Sequence, residues 1–231
     1  MKKLTIIQHN SADYLGLMED HFEGRGIRFQ YHRPFTEGVG VPGEADIGDA
    51  LILLGGGPWG SAGTRNVPTL AAEIALTRAC FMNDKPIIGI GLGAQILALA
   101  ADGKSESTPL RFTVEDVTRC DENALNGFMP ETFPLPIYMR DRPVPPDYAK
   151  ILATDSQNAP AVFQIGEKIF GFTGHPGYKR AMAEDLIMEF EESPENPAEA
   201  LDALTTRKSE IEDALVSMMT GIIQLTGLMR E

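Results

Sequence analysis

Cysteine is scarce in this 231-residue chain: only Cys80 and Cys120 occur. Neither stands in a ligand-like or redox-like spacing, which excludes a disulfide framework and a cysteine-based zinc site. Basic charge is scarce too. Lys and Arg number 20 against 33 Asp and Glu, giving a formal net charge of −13. The acidic residues gather in 184–199 with no opposing basic block, so a nucleic-acid partner is not expected. No apolar run approaches the ~18 residues of a membrane span. Met1-Lys2-Lys3 leads into too short an apolar segment for a signal peptide. The expected location is cytoplasmic, without a membrane partner, and no internal repeat or low-complexity tract interrupts the chain.

What is present is an alternation of short apolar runs with helical periodicity. Strands are expected at 4–7, 27–31 and 46–54, and helices at 14–22 and 68–82, the latter with Leu70, Ile74, Thr77 and Phe81 on one face. Leu51 to Leu54 and Ile87 to Ile90 are apolar throughout, as strands buried on both faces are. The expectation is an α/β fold with a mostly parallel central sheet and helices on both faces. From about residue 104 the pattern changes to short strands and turns at 112–117, 130–146, 150–154, 161–165 and 168–173, a small antiparallel extension. Glu191 to Pro197 is the candidate linker, which divides the chain into a domain over 1–190 and a helical appendage over 198–231.

Three glycine-bearing motifs carry the chemical content. Leu53-Leu54-Gly55-Gly56-Gly57-Pro58 ends the third strand. Ile87-Ile88-Gly89-Ile90-Gly91-Leu92-Gly93-Ala94-Gln95 runs a strand into a small-residue turn and then into an apolar helix, the context of a nucleophile elbow. Phe170-Gly171-Phe172-Thr173-Gly174-His175-Pro176-Gly177 follows a late strand. In combination, over roughly residues 4 to 190, these resemble the class I glutamine amidotransferases. That family reads Gly-Ile-Cys-Leu-Gly-x-Gln at the elbow and Gly-x-x-x-His-Pro-Glu at the last motif.

The resemblance implies a flavodoxin-like class I amidotransferase fold, no cofactor and no metal, and it assigns positions. Gly91 falls at the nucleophilic cysteine, His175 at the general base and Gly177 at the glutamate that orients it. Two members of the triad are thus glycine. Gly57 and Leu92 match the backbone donors of the oxyanion hole, and Gln95 matches a substrate-contacting glutamine. No other nucleophile replaces the cysteine: Cys80 lies late in a helix, Cys120 follows a strand, and Ser61 needs an oriented base within reach. Arg140 and Arg142 are candidate contacts for a carboxylate or phosphate.

Three functions remain open on the sequence. The first is a non-catalytic amidotransferase-like subunit that binds a protein partner such as a synthetase. The second is a binding module for a small amide or carboxylate, held by Gly57 and Leu92. The third is an amidase of altered chemistry in which Asp141 or Asp155 orients His175. Finally, Leu201, Leu204, Lys208, Ile211, Leu215, Met218, Ile222, Leu225 and Met229 step by three and four. One continuous helix from Ala198 to Met229 is expected, used for homodimerisation or partner association or else packed on its own sheet.

Overall fold

A computed structural model describes residues 1–63 and 65–229; Arg230 and Glu231, the end of the expected 198–231 appendage, lie outside the described residues. The chain begins with β1 (Lys3–Ile7), α1 (Met18–Gly24), β2 (Arg28–His32), β3 (Ala50–Leu53), α2 (Leu70–Met82), β4 (Ile87–Ile90) and α3 (Leu92–Ala100). It continues through β5 (Lys104–Glu106), β6 (Arg111–Arg119), β7 (Thr132–Met139), β8 (Arg142–Val144), β9 (Lys150–Thr154), β10 (Pro160–Ile165) and β11 (Ile169–Phe172). Three helices close it: α4 (Arg180–Glu189), α5 (Pro197–Thr206) and α6 (Lys208–Leu225).

Nine strands form one sheet in the order β2-β1-β3-β4-β11-β10-β9-β6-β7. The strands from β2 to β11 pair in parallel, and those from β11 to β7 in antiparallel fashion. The antiparallel extension is therefore a continuation of the same sheet. β7 carries Pro134 and Pro136, which cannot donate to a ladder, and it lies at the sheet edge where that costs nothing.

Alternation along each central strand feeds two cores. Ala50 and Ile52 of β3 join Leu4, Ile6, Met18 and Phe22 on the face covered by α1 and α6. Leu51 and Leu53 point the other way and pack with α2 and α3 through Leu76, Cys80, Leu92 and Leu97. Both faces being covered is why these strands read as unbroken apolar runs. The buried face of α2 is rotated from the expected one. Glu73, Leu76, Thr77 and Cys80 are buried, while Leu70, Ile74 and Phe81 are only partly so.

The single helix expected from Ala198 to Met229 is two. Arg207, at φ −103°, ends α5 and begins α6. The β-branched pair Thr205-Thr206 precedes the break, and the Thr206 hydroxyl bonds back to the Asp202 and Ala203 carbonyls, a poor propagating context. The break frees the two halves to pack separately. Leu204 joins Phe112, Met182 and Leu186, whereas Leu215, Met218, Met219, Ile222 and Ile223 enter the main core. Most of the apolar stripe is packed inside the chain, while Met229 is exposed. No helix among the described residues is long and apolar enough to cross a membrane.

Candidate functional site

In a parallel sheet the loops after neighbouring strands emerge at one edge, where open α/β folds place their sites. Here β1, β3, β4 and β11 are consecutive neighbours, and their loops bring Gln8–Leu17, Gly55–Gly57, Gly91 and Thr173–Gly177 together.

Gly91 holds the sharp turn between β4 and α3. Its φ of +56° and ψ of −112° lie where a side chain is strained, so glycine suits it. Its N–H donates to the Phe172 carbonyl at 2.8 Å, and its carbonyl accepts from Ala94 and Gln95 at 3.0 and 3.2 Å. Space is not the limit, since a Cβ there would meet only the Gly55 Cα, at 3.5 Å. Gly177 is the opposite case. A Cβ on it would approach the Met18 Cγ at 2.9 Å and the Met18 N at 3.0 Å. Its carbonyl accepts from the Leu17 N–H at 2.8 Å, so the turn before α1 closes this position.

His175 is buried and held by backbone alone. Nε2 lies 2.8 Å from the Tyr14 carbonyl, which can only accept, so Nε2 carries the proton. Nδ1 then accepts the Gly177 N–H at 3.1 Å. Burial drives its pKa down from 6.5 to about 4, against the Tyr14 bond, and the ring is neutral at neutral pH. The two carboxylates considered as orienters serve elsewhere. Asp141 accepts the N–H groups of Ser61, Ala62 and Thr108 at 2.8, 2.9 and 3.2 Å. Asp155 accepts from Gln157 and Ala159, both at 2.9 Å.

The other sequence candidates are similarly committed. Gln95 is fully buried, its Oε1 accepting from Ser61 Oγ at 2.6 Å and its Nε2 donating to the Arg140 carbonyl at 2.7 Å. Ser61 thus faces Gln95 and Ser105, not a histidine. Arg140 bonds to the Pro58 carbonyl at 2.9 Å and pairs with Glu192. Arg142 pairs with Glu106, its Nε at 2.8 Å. The Cys80 thiol is pushed by burial up to about 11, and Cys120 is exposed. Gly57 N–H already has an acceptor, Asp13 Oδ2 at 2.9 Å. Leu92 is buried at the start of α3, and its N–H has no acceptor among the described hydrogen bonds.

The loop after β1 is the part the sequence reading passed over. Asn10 Oδ1 accepts the N–H groups of Ala12 and Asp13 at 2.9 and 2.8 Å, an Asx turn that aims Asp13 inward. Asn10 Nδ2 also donates to Asp13 Oδ2 at 3.0 Å. Burial raises the Asp13 pKa despite the bonds from Asn10 and Gly57. His9, also buried, lies 3.0 Å from the Gly55 carbonyl through Nδ1 and 2.8 Å from Glu73 Oε2 through Nε2. Burial alone would lower its pKa, but the Glu73 charge and hydrogen bond and the Gly55 carbonyl raise it. Acceptors at both nitrogens and the raised pKa favour the imidazolium, which would donate from both. A run of Gln8-His9-Asn10-Ser11 directly after a buried parallel strand was the available signal.

The fold and this edge belong to a defined class: a family model of class-I glutamine amidotransferases matches residues 27–189, and the chain belongs to that family. Among individual relatives, it is 30% identical over 136 residues to the glutamine-hydrolysing GMP synthase of Aeropyrum pernix, a match covering 58% of this chain and 25% of that protein. The chain therefore spans about a quarter of the length of that curated relative. A crystal structure of a glutamine amidotransferase from Methylobacillus flagellatus superposes with a TM-score of 0.83 at 22% identity, covering 100% of this chain and 97% of the other. One from Thermotoga maritima gives 0.80 at 20% identity, covering 97% and 98%. At such identities the two structures speak to the fold.

Proposed function

We propose that this protein is an amidotransferase-fold subunit without glutaminase activity of its own, acting by binding a partner. The observation that carries this reading is the state of His175. A general base needs a free nitrogen facing the proton it takes, and both nitrogens of His175 are bonded to backbone groups. Gly91, at the position aligned with the nucleophilic cysteine, offers no side chain, and Gly177, aligned with the orienting glutamate, has no room for one. Oriented nucleophile, base and orienter are all missing from one site. An amidase built on His175 lacks support, since Asp141 and Asp155 are bonded elsewhere.

The family supports the partner class. In the GMP synthase relative the matched segment is a quarter of a longer protein, so a domain of this kind operates beside further protein. A synthetase or other enzyme is the proposed partner. The test is glutamate release from glutamine by the purified protein. No turnover is expected, and turnover lost on His175→Ala would overturn the reading.

A further inference from the structure

The turn Gly55–Gly57 stands at the carboxyl edge of the sheet, with the buried Asp13 carboxyl against it. Asp13 Oδ2 takes the Gly57 N–H at 2.9 Å and the Asn10 Nδ2 at 3.0 Å. A Cβ built on Gly55 would meet that same oxygen at 2.9 Å, and one built on Gly91 would meet the Gly55 Cα at 3.5 Å. The carboxyl thus lies on the turn that the elbow faces. A buried place where a backbone N–H and a side-chain amide converge on one oxygen is built to hold a carboxyl group.

We infer that the turn at Gly55–Gly57 is a carboxylate-binding site that the chain fills with its own Asp13, so that this side chain is the internal ligand of the turn. The loop carrying it is fixed at three further points. His9 is bonded to the Gly55 carbonyl, the Tyr14 carbonyl to His175, and Ser11 Oγ to Glu189 Oε2 at 2.9 Å. An outside carboxylate must displace Asp13 against all of them. The native protein is therefore closed to small carboxylates, and removing the Asp13 carboxyl opens a place for one. The inference rests on the proposed reading of the elbow as a site without chemistry. Glutamine hydrolysis would overturn that reading, whereas the experiment below addresses only what fills the site.

The experiment is thermal melting of the full-length wild type, Asp13→Ala and Asp13→Asn in titrations of sodium formate and sodium acetate, against sodium chloride at matched ionic strength. Asp13→Ala is expected to melt about 3–6 °C lower in chloride and to regain most of that loss, saturably, in formate or acetate. Asp13→Asn, whose amide oxygen still accepts from Gly57, is expected to melt near the wild type, and neither it nor the wild type is expected to respond. A wild type that rises as much as Asp13→Ala, or a folded Asp13→Ala that ignores both anions, overturns the inference. Should Asp13→Ala not fold in chloride, refolding yield is the readout. Recovery only in formate or acetate supports the inference, and no recovery contradicts it.

Discussion

Two buried histidines at one edge of the sheet are pushed in opposite directions by what their nitrogens touch. His175 has one obligatory acceptor and one obligatory donor, a pairing that fits only the neutral ring. His9 has the Gly55 carbonyl and the Glu73 carboxylate, which favour the cation. The pH dependence follows. The raised His9 pKa contributes stability that is complete below the ordinary value of 6.5 and lost as pH rises through the folded value. The Glu73 pKa would be raised by burial but is lowered by the His9 charge and hydrogen bond. Its contribution is complete above the ordinary 4.5 and lost as pH falls. Glu73→Gln is expected to cost about 3–5 kcal/mol, as breaking a buried pair does. That gap from wild type should be widest between pH 4.5 and 6.5 and narrow in alkali. Urea midpoints across pH measure it, and a gap independent of pH would remove the ion pair from the account. At the two glycines, Gly91→Cys is expected to fold with a loss of about 1–3 kcal/mol, because its φ is strained while its space is open. Gly177→Glu is expected to lose more in the same denaturation assay, since its Cβ already meets the Met18 backbone.

At the level of elements, much was legible because burial and periodicity are local properties. β4 and β9 fall on their expected spans, and β1, β3 and α2 agree apart from their ends. Two features were not legible. Glu73 at the front of α2 reads as a solvent residue until His9, far away in sequence, is brought to it. The stripe from Leu201 to Met229 has a period that fits one helix as well as two, and the break at Arg207 depends on where α5 and α6 find their cores. The three glycine motifs were readable as sequence, but the loop that fills the space between them was not, because its bonds are made to residues distant in the chain. The helix also gives a contrast to measure. Leu215→Ala is expected to cost about 2–5 kcal/mol, while the exposed neighbour Val216→Ala should stay within about 0.5 kcal/mol. A chain ended at Glu195 should unfold, since it loses the α6 residues of the main core. A folded truncated chain by circular dichroism would contradict that packing.

Over the whole molecule, a class I amidotransferase scaffold is complete in its sheet, its covering helices and its elbow, while its carboxyl edge is occupied by its own side chains. Gln95, Arg140, Asp141 and Ser61 are bonded to one another or to nearby backbone, and Asp13 lies on the glycine turn. A partner is accordingly expected to meet an outer surface of net negative charge, so its capture by the full-length protein should weaken with added salt if charge steers it. The most direct measurement is glutamate release from glutamine by the purified wild type, with Gly91→Cys and His175→Ala alongside. None of the three is expected to release glutamate above the uncatalysed rate, because restoring a thiol at Gly91 leaves His175 bonded through both nitrogens. Wild-type turnover that disappears in His175→Ala would contradict the central claim.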